Sequence, residues 1–290
     1  MIEVDYWFRL TDADPFEWSL ARSQLQLARD RVRGDTCKAV ITMTPALAEH
    51  FRHVLGPEVS PKIDYAYPAY PAQPDVKRLR NGTFTLLTIG NRLSDKGIPE
   101  ALRAFEILRG RHGAAVRMVL VSKALPAGYR LPEGVTVHHQ PSMSREMKAS
   151  IYRSGDVFLL PGTIGTLACY PEACAFGLPT VTTRLHHSED FVIDGVSGYL
   201  IDAPLSGWSD DYGSRWQTWA DFDAELQLMR ETGQLDTLVE DVVDRIEPMI
   251  VGDVDVDELR RGARRLHAER CAPEVRNAKL MKIYTRALER

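Results

Sequence analysis

From position 84 to position 201, short apolar runs alternate with segments of helical period. FTLLTI at 84–89 reads as a strand, as do 116–121, 135–138, 157–160, 180–183 and 198–201. Between them lie helical patterns at 99–111, 144–152 and 168–176. The second of these opens on Ser144 with Glu146 close behind, which reads as a capping box. Strands separated by helices must run parallel, because each crossover returns the chain to the same sheet end. Near-continuous apolar strands are buried on both faces. The pattern therefore predicts an α/β fold with a doubly wound parallel sheet.

The flanks differ in texture. The start is dense in aromatics (Tyr6, Trp7, Phe8, Phe16, Trp18), and a helix is expected over 20–32. A strand is expected at 38–44, and Thr44-Pro45 is an N-cap followed by proline at the first helical position. The helix it starts runs to Leu55 and stops at Gly56, and a short strand follows at 63–67. PAYPAQP at 68–74 suits neither helix nor strand interior and reads as a linker. Beyond the sheet, 205–219 is irregular and carries Trp208, Trp216 and Trp219, and helices are expected at 220–231, 235–250, 256–269 and 274–288. The division this implies is 1–74 as an N-terminal segment with linker, 75–272 as the sheet domain, and 273–290 as a terminal helix returning toward the N-terminal part.

Bulk properties exclude some functions. A net charge of -4 over 290 residues offers no basic face for nucleic acid. Cys37, Cys169, Cys174 and Cys271 form no CxxC pair, as expected of reduced thiols in a cytoplasmic protein. No apolar run is long enough to span a bilayer, and MIEVDYWFRL lacks the layout of a signal peptide.

Two places carry candidate chemistry. The loop from Gly90 to Gly97 follows a buried strand, at the sheet end where open α/β folds bind ligands. It holds Gly90, Asn91, Arg92 and Lys96, and two cations beside backbone N–H groups suit a diphosphate. The same loop also reads as a solvated turn with surface charges. The second place is VFLLPGTIGTLACYPEACAFG at 157–177, a strand, a small-residue loop and a helix bearing one carboxylate, Glu172, among apolar neighbours. A carboxylate there needs hydrogen-bond donors, and ligand hydroxyls supply them well.

These pieces occur in a recognisable order. The strand-G-x-R-L-x-x-K-G-helix unit comes first, then PEACAFGLPTV, then TRLHHSEDFVIDGVSGYLI, and finally APEVRNAKLMKIYTRAL. Together they resemble the C-terminal, nucleotide-sugar-binding domain of GT-B glycosyltransferases, and more narrowly the retaining group 4 family. CKAVITMTPALAE at 37–49 is similar to the end of that family's N-terminal domain. The resemblance implies a Rossmann-like doubly wound sheet with a shortened N-terminal α/β part. It implies transfer of a sugar from a nucleoside diphosphate-sugar donor to an acceptor (glycan, lipid or small molecule), with retention at the anomeric carbon.

Residue by residue, Glu172 matches the glutamate that holds the donor ribose. Lys96 matches the lysine on the donor diphosphate. Arg92 lies one position from the family's partner arginine, whose place Asn91 takes. Gly165, Thr166 and Leu167 match the loop whose amides approach the donor sugar. Cations and oriented amides neutralise a departing diphosphate without a metal, and no cofactor is expected. Eight residues before Glu172 the family carries a second glutamate, and here that position is Ile164. That departure, with the shortened N-terminal part, supports an alternative: a non-catalytic nucleotide- or partner-binding module.

Other features read more simply. His138-His139 and His186-His187 are adjacent pairs that do not chelate one metal easily. His187-Ser188-Glu189-Asp190 reads as a helix N-terminus, with Asp190 at a position where the family often has glutamate. The tryptophans of 205–219 read as packing on the sheet edge, and Arg260, Arg261, Arg264 and Arg265 as a solvated helix face. Unpaired strand edges in the N-terminal part predict a homodimer. A peripheral membrane contact is a further expectation for the acceptor side.

Overall fold

The computed structural model describes residues 30–74, 82–91, 93–123, 125, 129–139, 143–163, 167–185, 187–205 and 219–289. The readings at the aromatic start, Arg92, Ile164, Gly165, Thr166, His186, Trp208 and Trp216, and at the side chain of Trp219, lie outside the described residues.

After the end of a helix at 30–33 come β1 (Val40–Thr42), α1 (Pro45–Leu55) and β2 (Ile63–Tyr65), and β1 pairs with β2 in parallel. Thr44 caps α1 by accepting from the Leu47 N–H at 3.1 Å, as the Thr-Pro signal predicts. The strand expected at 38–44 is shorter, because the Thr42 hydroxyl donates to the Thr44 carbonyl and the chain is already turning into the cap. Phe51, Leu55, Val59 and Ile63 close a small core with Val32.

The main domain follows as β3 (Phe84–Ile89), α2 (Ile98–His112), β4 (Val116–Ser122), β5 (Val135–His139), α3 (Arg145–Ser154), β6 (Val157–Leu160), α4 (Cys169–Ala175), β7 (Thr180–Arg184) and β8 (Gly198–Asp202). The six strands are ordered β5-β4-β3-β6-β7-β8, and every neighbouring pair is parallel. The closing helices are α5 (Trp219–Glu231), α6 (Asp236–Val251), α7 (Val256–Leu266) and α8 (Pro273–Leu288).

Successive strand residues point to opposite faces. Leu86, Met118 and Leu159 pack under α2 and α6, against Phe105, Leu108, Val242 and Ile246. Leu87, Val119 and Phe158 face the other side, among Ile151 and Tyr152 of α3, Ala173 of α4 and Phe176 just beyond it. From β3 the chain moves outward to β4 and β5, then returns to β6 on the other side of β3. The crevice between the carboxyl ends of β3 and β6 is therefore the sheet's topological switch point, where open α/β sheets bind ligands.

Two further local expectations change. Ser144 caps α3 by accepting from the Met147 N–H, but Glu146 sits one position too early for a reciprocal box. Its carboxyl is instead held below the usual range by its own backbone N–H and the Ser144 hydroxyl. The helix expected over 256–269 ends at Leu266, and His267–Cys271 forms a π turn. Tertiary contacts account for it: His267 Nε2 lies 2.7 Å from the Tyr70 carbonyl, and Arg270 donates to the Asp190 carbonyl.

α8 packs beside β2. Asp64 lies between Lys279, at 3.1 Å, and Arg286, while the Lys279 ammonium sits 4.5 Å above the Tyr65 ring. Burial raises the Asp64 carboxyl, but the Tyr65 N–H and the two cations together hold it below its ordinary value. The stabilisation is thus complete above the unfolded carboxylate pKa of about 4 and is lost as pH falls through the lower folded value. Asp64→Asn is expected to melt below wild type at pH 7, with the gap narrowing steadily on acidification below pH 4. A gap that is constant across that range contradicts the clamp.

Candidate functional site: the crevice between β3 and β6

The two loops at the switch point are locked together by their backbones. The Thr163 N–H donates to the Asp95 carbonyl at 3.0 Å, and the Thr163 hydroxyl lies 3.4 Å from the same oxygen. On the far side, the Thr183 hydroxyl donates to the Gly162 carbonyl. Two glycines permit this approach. Gly97 has φ +66°, and a Cβ there would lie 2.1 Å from the Pro161 carbonyl oxygen. A Cβ on Gly162 would lie 2.7 Å from the Asp95 carbonyl oxygen. Neither neighbour is a side chain that can swing away.

Lys96 rides on this locked turn. Its ammonium lies 3.6 Å from the buried Asp95 carboxylate, with 17% of its side chain exposed. Gly90 donates its N–H to the Val121 carbonyl at 3.0 Å, so that amide serves the sheet rather than a ligand. What Gly90 contributes is room, since a Cβ there would press on Lys96 Cβ and Ile98 Cδ1 at 3.0 Å. Asn91 follows it, exposed at the carboxyl end of β3.

Across the crevice, Glu172 lies in the first turn of α4. It already has protein donors. Lys148 Nζ reaches Oε1 at 2.5 Å and the Tyr152 hydroxyl reaches Oε2 at 2.6 Å. A carboxylate offers about four acceptor positions, so both oxygens keep capacity for further donors. Tyr152 is fully buried and stacked on Phe176 with centroids 5.0 Å apart. Burial, then the neighbouring Cys169 and Glu172, push its phenol well above the ordinary value, so it remains a donor. The charge demand expected of Glu172 is therefore met from α3. Lys148 and Tyr152 are spaced i, i+4 on one face of that helix, a spacing that marks neighbours but names no partner.

Leu167 opens the next turn with its side chain buried in the core beneath α3 and α4. The Ser188–Asp190 segment is a 3₁₀ turn rather than the start of a helix. Asp190 accepts from the Tyr67 hydroxyl at 3.0 Å, and Thr44 and the Ala46 backbone also favour its charge. Burial nonetheless raises its carboxyl above the usual range. The residue ties Tyr67, just before the linker, to the start of α1 and the π turn. The arginines of α7 are partnered: Arg261 and Arg265 with Glu258, Arg260 and Arg264 with the carbonyls around the end of α4. Arg261 and Arg265 form the solvated face that the sequence pattern predicts, whereas Arg260 and Arg264 do not: their guanidinium groups are packed onto carbonyls that the end of α4 leaves without helical partners.

Comparisons with known proteins bear on the domain and its fold. Residues 83–207 match the family model for glycosyl transferases group 1. A 143-residue stretch is 29% identical to a D-inositol 3-phosphate glycosyltransferase of Arthrobacter sp. (strain FB24), covering 44% of this chain and 33% of that protein. Among solved structures, the pneumococcal O-GlcNAc transferase GtfA, in complex with UDP and GlcNAc, superposes with a TM-score of 0.60 at 15% identity. That match covers 85% of this chain and 44% of that one. Sucrose-phosphate synthase from Thermosynechococcus elongatus gives 0.59 at 14% identity, over 92% and 62%. The stretch 83–207 is thus similar to group 1 glycosyltransferases, and the parallel sheet has the GT-B arrangement of these structures. The chain spans less than two thirds of the length of each of these relatives. Among the described residues no helix is long and apolar enough to cross a membrane.

Proposed function

We propose that the crevice between β3 and β6 binds a nucleoside diphosphate-sugar and that the chain is the donor side of a retaining glycosyltransferase. The observation that carries this reading is the locked pair of loops at the switch point, with Lys96 on one side and Glu172 on the other. Glu172 accepts from the ribose hydroxyls through its remaining lone pairs. The diphosphate and sugar are assigned to Lys96, with Arg92 and the amides of Gly165, Thr166 and Leu167, as the family resemblance implies. In the transfer the anomeric carbon–oxygen bond to the diphosphate breaks. A bond to an acceptor hydroxyl oxygen forms, and the hydroxyl proton leaves with the diphosphate. The cations and amides stabilise charge that grows on the leaving group. Among the described residues no three His, Cys, Asp or Glu side chains gather as a metal site, and the proposal assigns the charge to protein groups alone.

The UDP and GlcNAc bound to GtfA are ligands of the expected kind for such a site, and the family resemblance implies a glycan, lipid or small molecule as acceptor. Ile164, in place of a sugar-contacting glutamate, favours a second reading in which the chain binds donor without transferring it. Titration calorimetry with UDP, GDP and ADP tests donor binding, and one of them is expected to bind. Release of free sugar or of diphosphate from the matching sugar nucleotide separates a transferase from a binding module.

A further inference from the structure

Arg230 lies on α5, outside the 83–207 match, and its guanidinium reaches into the switch-point loop. Nε donates to Glu100 Oε1 at 2.6 Å and Nη2 to Oε2 at 3.3 Å. Nη1 donates to the Ser94 hydroxyl at 3.2 Å, and Nη2 also to the Ser94 carbonyl at 3.0 Å. The Glu100 side chain is 3% exposed and that of Arg230 16%. Burial around the pair extends to Tyr129, whose hydroxyl is pushed up by desolvation and by the Glu100 charge. An ion pair for Glu100 needs only half of this fork. The other half holds Ser94, two residues before Lys96 and one before the carbonyl that accepts from Thr163.

We infer that Arg230 is a positioning residue for diphosphate recognition: it fixes the 93–97 turn, and through it the ammonium of Lys96, against the β6 loop. The inference rests on the donor-site reading above. A guanidinium bridges two partners in fixed directions, whereas an ammonium on a flexible stem satisfies one charge and loses the fork. Arg230→Lys therefore keeps a cation for Glu100 while releasing Ser94. Glu172, on the other loop's helix, is untouched, so recognition of the nucleoside end is preserved.

The test compares the nucleoside diphosphate and nucleoside monophosphate of the base that wild type prefers, by calorimetry, with thermal melting alongside. Arg230→Lys is expected to weaken the diphosphate about tenfold, one good charge-assisted hydrogen bond, and to leave the monophosphate within about twofold. Equal diphosphate affinity in variant and wild type overturns the inference, and so does a parallel fall in both ligands, the mark of a merely structural clip. If Arg230→Lys does not fold, Ser94→Ala, which keeps the Arg230–Glu100 pair, decides. A diphosphate-selective loss of about threefold then supports positioning, and no selective loss overturns it. A wild type that binds no nucleoside diphosphate removes the donor-site reading, and this inference with it. Wild-type binding with an insensitive variant removes this inference alone.

Discussion

Gly97→Ala is expected to cost about 2–5 kcal/mol of stability and to weaken nucleoside diphosphate binding by roughly a hundredfold. Two independent penalties add. A non-glycine residue in the left-handed region costs about 1 kcal/mol or more, and overpacking typically adds about 1–3. At φ +66° the new Cβ points at the Pro161 carbonyl oxygen from 2.1 Å, so backbone must move on one side of the crevice. The movement separates the 93–97 turn from the β6 loop and breaks the Thr163–Asp95 bond. Misplacement on the order of 1 Å is enough for a hundredfold loss at a preorganised site. Chemical denaturation and calorimetry on the same sample measure both numbers. Gly110→Ala is the control, since a Cβ there meets nothing within 4 Å.

Glu172→Ala is expected to abolish measurable nucleoside diphosphate binding and to destabilise the fold by about 2–4 kcal/mol. The structural part follows from what remains behind. Tyr152, fully buried, loses the acceptor for its hydroxyl, which costs about 1–3 kcal/mol. Lys148 loses its carboxylate, and because 32% of its side chain is exposed the ammonium turns to water at a smaller cost. The binding part follows from loss of two charge-assisted hydrogen bonds to ribose, together on the order of a hundredfold or more. Glu172→Gln separates the two effects, since the amide still accepts from Tyr152 without offering ribose a charge. Its melting temperature is expected near wild type, and its affinity well below.

The sheet was legible in residue pattern because parallel strands buried on both faces leave continuous apolar runs. FTLLTI and VFLL are such runs, and β3 and β6 fall at the predicted boundaries. The α1 start was legible because Thr44-Pro45 is a local chemical signal. What was not legible is the company the site residues keep. Glu172 visibly needed donors, but that they come from Lys148 and Tyr152, some twenty residues earlier, depends on how α3 lies against α4. Arg230 belongs to no motif in the sequence. Its contacts with Glu100 and Ser94 appear only when α5 is placed over the 93–97 turn. The π turn at His267–Cys271 is likewise set by Tyr70 and Asp190, distant in the chain.

Donor binding at Glu172 is the central claim, and calorimetric titration of UDP, GDP and ADP into wild type and Glu172→Gln tests it most directly. One diphosphate is expected to bind wild type with a single site and to bind the variant at least tenfold more weakly, with melting temperatures nearly equal. Failure of all three to bind wild type, or equal binding by the folded variant, contradicts it.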